Sequence, residues 1–143
     1  MSSKETSNAA LDYIAQIHRA VHAVGLFIDA EFGPEVSQPE ALVLILLLGA
    51  GPATINDVHR AFLHRRSTLT SVLDRLEKKR YVVREASASD RRSIRLSLTK
   101  TGRGLARRVA AALEERCHDV QFAAPPARLI STLESTALTF YGI

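Results

Sequence analysis

The hydrophobic pattern of the chain changes between residues 54 and 99, and this change limits the possible folds more than any other feature. Apolar residues recur every three or four positions within 55–76, which predicts two short helices joined by a polar link. Apolar and polar residues then alternate in 81–85 and again in 93–98, which predicts two strands joined by the polar loop 86–92. The predicted order is helix, turn, helix and β-hairpin.

Helical segments flank this region on both sides. Residues 8–33 carry an apolar stripe at helical spacing, and residues 40–48 are apolar on nearly every side, as in a helix buried in a core. Two further amphipathic helices are predicted after the hairpin, within 100–143. The sequence therefore predicts one domain over 1–143 that is mostly α, with six helices and a small β-hairpin.

Serine and threonine residues mark three of the predicted helix starts. Ser37 is followed three positions later by Glu40, and Thr54 is followed by Asp57. This spacing is typical of a capping box, in which the two side chains satisfy each other's backbone N–H groups. Ser67 follows the polar link and is the predicted N-cap of the fourth helix.

Positive charge is concentrated in the same central part of the chain. The whole chain has a formal net charge of +4, whereas residues 59–95 contain eleven Lys and Arg against four Asp and Glu. A basic centre between acidic ends indicates a polyanionic partner, although composition alone is equally compatible with a solvated basic surface.

The predicted order is that of a winged helix-turn-helix, here assigned to residues 37–99, and it favours DNA binding. The second helix of this fold fits the major groove, and here it exposes Ser67, Thr70, Ser71 and Arg75, which can bond bases and phosphates. The tip of the hairpin, the wing, carries Asp90-Arg91-Arg92. We expect Arg92 to reach a minor groove or a phosphate, and Asp90 to hold its guanidinium by a bidentate ion pair.

Two segments resemble the MarR family of multiple-antibiotic-resistance regulators. Residues 67–79, Ser-Thr-Leu-Thr-Ser-Val-Leu-Asp-Arg-Leu-Glu-Lys-Lys, are similar to the recognition helix of that family. Residues 90–102 resemble its wing, with Asp, any residue and Arg, then an alternating strand, Leu-Thr and a glycine. The order of six helices and one hairpin extends the resemblance to nearly the whole chain.

The resemblance implies a homodimer that binds a pseudo-palindromic operator in double-stranded DNA. In that family the first, fifth and sixth helices, here within 8–33 and 100–143, form the dimer interface. Many members are repressors released by small aromatic or phenolic effectors. The DNA-binding positions carried over to this chain are Ser67, Thr68, Thr70, Ser71, Arg75, Asp90 and Arg92. We add the neighbouring Arg66 and Arg91 to the predicted DNA-binding residues.

One position departs from the family pattern. Arg80 stands just before the first strand of the hairpin, where the family usually has a glycine. A glycine there would permit a left-handed end to the recognition helix, which would cost an arginine roughly 1 kcal/mol. Either the helix ends differently in this chain, or the strain is tolerated.

Other regulatory inputs are alternatives to a small effector. His18 and His22 have the i, i+4 spacing of a metal-binding pair, but two histidines are too few for a closed site, so we expect a polar helix face or a pocket lining instead. Cys117 lies on the apolar stripe of the fifth helix, which predicts a buried, inert thiol rather than a redox sensor. A winged-helix protein-interaction module without DNA binding is a further alternative.

The sequence favours neither an enzyme nor a membrane protein. It contains no nucleophile elbow and no glycine-rich phosphate loop, so we predict no catalytic residue, no cofactor and no metal site. A single cysteine excludes an intrachain disulfide. The longest apolar run, Ala41 to Ala50, is far shorter than the roughly 18 residues that span a bilayer, and the first residues lack the features of a signal peptide, so a cytoplasmic location is expected.

Overall fold

A computed structural model describes residues 3–90, 92–120 and 126–141, and the side chains of 9–90, 92–120 and 127–141. These residues form, in chain order, α1 (Ser3–Phe32), α2 (Gln38–Ala50), β1 (Ala53–Thr54), α3 (Ile55–Phe62), α4 (Arg66–Lys78), β2 (Val82–Ala86), β3 (Ile94–Leu98), α5 (Lys100–Cys117) and α6 (Pro126–Tyr141). The order confirms the predicted mostly α winged helix-turn-helix with six helices, and it adds one strand, β1.

The helix α2 lies in the centre of the core. Its side chains Val43, Leu44 and Leu47 are buried, and the helix packs against α1, α4, α5 and β3. A helix surrounded by other elements has no face left for water, which is why its sequence is apolar on nearly every side. The wing and the two helices before it are therefore built onto one shared core.

The predicted helix starts agree with the structure to different degrees. The Thr54–Asp57 capping box is complete: Thr54 N donates to Asp57 Oδ2 (2.9 Å) and Asp57 N donates to Thr54 Oγ1 (3.1 Å). The pKa of Asp57 is lowered, first because the Thr54 hydroxyl donates to its carboxylate and second because the Thr54 N–H does so. In the Ser37–Glu40 pair only half of the box is made, since Ser37 N donates to Glu40 Oε2 (2.9 Å) while the Ser37 hydroxyl has no partner among the described residues.

The predicted N-cap of the recognition helix was wrong. Helix α4 begins at Arg66 and its N-cap is Arg65, so Ser67 lies within the first turn. The Arg65 carbonyl oxygen already accepts the Leu69 N–H at 3.0 Å. Ser67 looked like a cap because serine is common there, but the turn closes two residues earlier than that preference indicates.

The wing is the outer part of a three-stranded antiparallel sheet with strand order β1-β3-β2. The predicted hairpin is confirmed, with Val82 opposite Leu98 and Ala86 opposite Ile94. Strand β1 pairs with β3 through Ala53 opposite Leu96. Because β1 has two residues, it is too short to show alternation in the sequence. It fixes the start of α3 to the base of the wing.

Arg80 adopts the left-handed conformation that the family usually gives to glycine. Its φ is 62°, its N–H donates to the Glu77 carbonyl oxygen (2.9 Å), and the next N–H, of Tyr81, donates to the Leu76 carbonyl oxygen (3.0 Å). This pair of hydrogen bonds is a Schellman motif. The helix therefore ends as in the family, and the strain of an arginine in this conformation is tolerated.

Replacing Arg80 by glycine should stabilise the chain. Glycine adopts a positive φ without the steric cost of a Cβ, so we expect a gain of about 1 kcal/mol in the free energy of unfolding and a rise of about 3 °C in Tm. Arg80→Ala is the control, because it removes the same exposed side chain and keeps the strain. An equal Tm for Arg80→Gly and Arg80→Ala in thermal melting would contradict the assignment.

Two of the outer helices expose large apolar side chains. In α1, Leu11, Val21 and Leu26 are more than half exposed, and α6 exposes Leu138 and Phe140. The Tyr13 hydroxyl lies 3.2 Å from the Thr136 hydroxyl oxygen, so the first part of α1 contacts α6. No helix in the described ranges combines the length and apolarity that crossing a membrane requires.

Candidate nucleic-acid interface

Helix α4 buries one side and exposes the other, as its sequence predicts. Its buried residues are Leu69, Val72, Leu73 and Leu76. Its exposed residues include the predicted contacts Arg66, Ser67, Thr68, Thr70, Ser71 and Arg75. The buried leucines and valines fix the rotation of the helix about its axis, so the polar residues are held outward.

The hydroxyls of Thr70 and Ser71 are positioned by their own helix. Thr70 Oγ1 donates to the Arg66 carbonyl oxygen (2.9 Å), and Ser71 Oγ donates to the Ser67 carbonyl oxygen (3.1 Å). With their protons directed along the helix, both oxygens keep lone pairs that face solvent. Adenine and cytosine offer amino donors in the major groove, so this face can accept hydrogen bonds from base edges.

Arg75 does not extend freely towards solvent. Its Nε donates to Glu40 Oε1 (2.8 Å), at the start of α2, although about half of the side chain is exposed. No local sequence pattern indicates this contact, which joins residues 35 positions apart. The prediction that Arg75 contacts DNA therefore meets a competing partner within the chain.

The wing tip is ordered by hydrogen bonds from backbone N–H groups to Asp90. Asp90 Oδ1 accepts the N–H of Arg92 (2.9 Å), and the Asp90 carbonyl oxygen accepts the N–H of Ser93 (2.9 Å). The predicted ion pair between Asp90 and the Arg92 guanidinium was wrong. The Asp90 carboxylate instead accepts the backbone N–H two residues later, in an Asx-turn. The Arg92 side chain is exposed. Arg91, the third predicted wing residue, lies outside the described residues.

The predicted residues meet around the start of α3. A crevice of about 100 Å³ between α3 and α4 is lined by Asn56, Arg66 and Thr70, among others. A second cleft, of about 240 Å³, lies between α3 and the wing and is lined by Asn56 and Arg92, among others. The start of α4 and the wing therefore share one surface with Asn56, which the sequence did not single out because the meeting depends on the tertiary fold.

A further contact fixes α4 to the wing. Arg84 of β2 donates to Asp74 Oδ1 at 2.6 Å, and its second terminal nitrogen lies 3.4 Å from Glu77 Oε2. Both acids belong to α4. This pairing was not predicted, although a basic strand residue after an acidic helix face is a signal that could have indicated it. The helix and the wing are thus held as one unit.

Residues 35–93 match the sequence model of the MarR family. Over this segment, which is 59 of the 143 residues, the chain is similar to the MarR family. The match includes α2, α3, α4 and most of the wing, which are the elements that build the surface described above. The match contains the whole of segment 67–79, whose family resemblance is thereby confirmed, and the first four residues of segment 90–102. MarR-family proteins are transcriptional regulators and not enzymes, in agreement with the sequence analysis.

Known proteins similar to this chain share this fold. The chain is 36% identical over 73 residues to YfiV of Bacillus subtilis (strain 168), an uncharacterised HTH-type transcriptional regulator. The match covers 51% of this chain and 46% of YfiV, so the chain spans about half the length of that relative. AbfR of Staphylococcus epidermidis has a TM-score of 0.79 at 22% identity, with 98% of each chain covered. Reduced AbfR bound to DNA gives a TM-score of 0.71 at 22% identity, covering 99% of this chain and 98% of that one.

A third similar structure is that of BpsR from Bordetella bronchiseptica, whose DNA binding is regulated by 6-hydroxynicotinic acid. It has a TM-score of 0.64 at 20% identity and covers 88% of this chain and 91% of BpsR. At these levels of identity the structures establish a shared fold. What AbfR and BpsR bind is a property of those proteins.

The glycine that closes the MarR-family wing pattern has a steric reason in this chain. Gly102 lies in the first turn of α5, where its N–H donates to Thr99 Oγ1 (2.9 Å). A Cβ at this position would collide with the Tyr81 carbonyl oxygen at the start of the hairpin. Any larger residue would push α5 away from the base of the wing.

The histidine pair and the cysteine lie away from this surface. His18 and His22 are exposed on α1 with parallel rings whose centroids are 6.2 Å apart, and neither lines the clefts described above. Cys117 was predicted to be buried, but it is exposed in the single chain. It lies at the last residue of α5, where the core no longer covers the apolar stripe of that helix.

A large groove lies between α1 and the end of α5. Its volume is about 850 Å³, and its lining includes Phe27, Ala112, Glu31, Glu114 and Asp119. The Arg116 guanidinium lies 5.1 Å from the centre of the Phe27 ring. The groove therefore offers an aromatic ring, a cation and several carboxylates, at a place that touches two of the helices predicted to form the dimer.

Proposed function

We propose that this chain is a sequence-specific regulator of transcription that binds duplex DNA as a homodimer. The observation that carries the proposal is the shared surface formed by the polar face of α4, the start of α3 and the wing tip with Arg92. We assign DNA contacts to Arg66, Ser67, Thr68, Thr70 and Ser71 on α4. We expect such a regulator to act in the cytoplasm.

The wing supplies the second part of the proposed contact. Asp90 orders the loop through the Arg92 N–H, and Arg92 then extends from a short turn whose neighbours are small residues. A guanidinium on such a loop fits the negative potential of a minor groove, while α4 occupies the adjacent major groove. Arg91 and Arg92 are the proposed wing contacts, and Asp90 is the proposed ordering residue.

Selection of bound duplexes from a random pool tests this function. A winged-helix homodimer should enrich a sequence with two-fold symmetry, whose half-site centres lie about one helical turn or a multiple of it apart. Affinity for that sequence should fall steeply with salt, because phosphate contacts release counterions. A chain that enriches no sequence, or that shows no salt-dependent affinity for any duplex, would instead support the protein-interaction alternative.

The proposed dimer forms through residues 8–33 and 100–143, leaving residues 37–99 as the DNA-binding lobe. The large apolar side chains that α1 and α6 expose support this proposal, because clusters of exposed apolar side chains mark protein–protein interfaces. A two-fold axis would let α1, α5 and α6 cover one another with their copies.

Light scattering should therefore give about twice the 15.7 kDa mass of one chain at micromolar concentration. Leu26→Glu places a charge among the exposed apolar residues of α1 and should shift the chain towards a monomer, because the interface would have to bury that charge. Glu31→Gln, on the same helix, is the control and should remain dimeric. A wild-type monomer would refute the interface.

We further propose that the regulator is a repressor released by a small aromatic or phenolic effector. The groove between α1 and α5 supports this, since the Phe27 ring can stack on an aromatic effector, Arg116 can pair with an acidic group, and the carboxylates of the lining can accept a phenolic hydroxyl. BpsR shows that a protein of this fold can be regulated by a small aromatic acid. The groove does not include His18 or His22, which were the weak effector candidates in the sequence.

A panel of phenolic and heteroaromatic acids tests the effector. A true effector should raise the Tm of the free protein and lower its affinity for the selected operator, because ligand and DNA then prefer different states. Phe27→Ala should remove both responses. If operator release instead follows oxidant and is lost in Cys117→Ser, or follows added metal, the redox- or metal-responsive alternative holds.

A further inference from the structure

Glu40 is a buried carboxylate at the centre of a small ionic cluster. Its side chain is 1% exposed, whereas the side chains of its partners Arg75 and Lys79 are 49% and 37% exposed. Arg75 Nε donates to Oε1 (2.8 Å), and Lys79 Nζ and Ser37 N donate to Oε2 (2.7 and 2.9 Å). One buried acid of α2 therefore holds two cations one turn apart, Arg75 on α4 and Lys79 at the C-cap of that helix.

This cluster keeps Glu40 ionised despite its burial. Burial alone would raise the pKa of Glu40, but hydrogen bonds from Lys79, the Ser37 N–H and Arg75 outweigh it, and the pKa is lowered. The position at the start of α2 adds the positive end of the helix dipole. A buried charge that loses its partners is costly, so the contact resists being broken and holds α4 firmly.

The same turn of α2 is attached to α1. Gln38 Nε2 donates to the Val21 carbonyl oxygen at 3.5 Å. Gly25 gives the Gln38 side chain room, because a Cβ at residue 25 would lie 2.5 Å from Gln38 Oε1. Within three residues, from Gln38 to Glu40, the chain thus joins α1, which belongs to the proposed dimer interface, to the recognition helix.

The second half of α4 is held on its other side by the wing. Asp74 and Glu77 pair with Arg84, while Arg75 and Lys79 pair with Glu40. Among the described residues, the cations of α4 that have no acidic partner are Arg66 and Lys78. The first half of the helix, from Arg66 to Ser71, therefore makes no ion pair among the described residues.

We propose that Glu40 is a positioning residue for DNA recognition: it sets the angle of α4 relative to α1, with Arg75 on α4 and Lys79 at the C-cap of that helix as its anchors. The inference depends on the proposed DNA-binding function and adds a division of labour within α4. The first half of the helix reads bases, and the second half fixes the orientation of the helix. Arg75 is thereby reassigned from a DNA contact to an anchor.

The dimer makes this angle important for specificity. Two recognition helices must enter half-sites at a fixed separation, so a small tilt of each α4 relative to α1 changes the spacing that the dimer can read. Non-specific binding depends mainly on positive charge and tolerates such a tilt. Loss of the anchor should therefore lower affinity for the operator and spare affinity for unrelated duplexes.

Glu40→Gln tests the inference, because it keeps the size of the side chain and removes the charge. We expect the ratio of operator to random-duplex affinity to fall about tenfold, similar to the loss caused by one wrong base pair. Affinity for the random duplex should rise, since Arg75 and Lys79 become available to phosphates. Glu35→Gln is the matched control: Glu35 pairs with Arg108 on α5 (2.6 Å), and its loss changes the net charge equally without touching α4.

The two affinities separate the explanations. If both rise in Glu40→Gln by the same factor, as expected for Glu35→Gln, the effect is purely electrostatic and the positioning role is wrong. If both fall together with the Tm, Glu40 only stabilises the fold and the inference is again overturned. A loss for the operator, with affinity for the random duplex kept or raised, supports it.

A second pair of variants covers the case in which Glu40→Gln fails to fold. Lys79→Gln removes one anchor from the exposed side, and Lys78→Gln removes the same charge from the neighbouring position. We expect Lys79→Gln to lower the ratio of operator to random-duplex affinity and Lys78→Gln to leave it unchanged, because phosphate contacts affect both duplexes alike. Equal ratios would overturn the inference. A wild-type chain that binds no duplex would overturn the proposed function as well, so the two failures are distinguishable.

Discussion

Replacing Thr70 and Ser71 together by alanine should lower the affinity for the selected operator about thirtyfold, since each lost hydrogen bond contributes about 1 kcal/mol. Both hydroxyls lie on the exposed face of α4, in the half of the helix that makes no ion pair with α2 or β2 among the described residues. Affinity for a random duplex should change little, because neither residue is charged. The ratio of the two affinities, measured by fluorescence anisotropy, is the deciding quantity.

The loss cannot arise from a weaker helix. Alanine has a higher helix propensity than serine or threonine, so the double variant should melt at the wild-type temperature or slightly above it. Thr132→Ala combined with Thr139→Ala is the matched control, since both hydroxyls donate to carbonyl oxygens four residues earlier on α6 (2.9 and 2.8 Å). That control should bind the operator normally. Normal binding by the Thr70/Ser71 variant would mean that another element reads the bases.

The sequence was sufficient to predict this face of α4, because the period of its buried residues fixes which side chains point outward. It was also sufficient to predict the wing, since the alternation in 93–98 is regular. Strand β1 was missed because two residues cannot show a period. The start of α4 was misplaced because Ser67 is a better cap by type than Arg65, while the actual start depends on how the turn after α3 closes.

The ionic contacts of the candidate site could not be predicted in the same way. Glu40 was interpreted as part of a capping box, and it does accept the Ser37 N–H. Its other hydrogen bonds come from Arg75 and Lys79, which are 35 and 39 positions away. No local sequence pattern indicates contacts between residues so far apart in the chain. The i, i+4 spacing of Arg75 and Lys79 shows only that both lie on one face of α4, not which acid faces them.

The wing gives the second large effect. Arg92→Ala should weaken operator binding about fivefold to 150-fold, because it removes a charged contact worth about 1–3 kcal/mol. It should also flatten the dependence of affinity on salt by about one unit of slope, since one phosphate-neutralising charge is lost. The same titrations, made at several salt concentrations, yield both quantities. An unchanged salt slope would show that Arg92 does not approach the backbone of the DNA.

Variants of Asp90 distinguish the effect of its negative charge on DNA binding from its effect on the order of the wing loop. Its carboxylate holds the Arg92 N–H at 2.9 Å, so Asp90→Ala should release the turn and weaken binding even though it removes a negative charge near phosphates. Asp90→Asn removes the same charge but keeps an oxygen that can accept that N–H, so it should bind the operator at least as tightly as the wild type. The double variant Asp90→Ala/Arg92→Ala should lose less than the sum of the single losses, because the turn matters mainly through Arg92.

These variants can also contradict the ordering role. Tighter binding by both Asp90→Ala and Asp90→Asn would mean that repulsion from phosphates dominates and that the turn contributes nothing. Equal weakening by both would mean that the charge itself is needed, as in the guanidinium pair first expected from the sequence. Only weakening by alanine together with preserved binding by asparagine agrees with the observed geometry, in which the carboxylate orders the backbone and leaves the Arg92 side chain available to DNA.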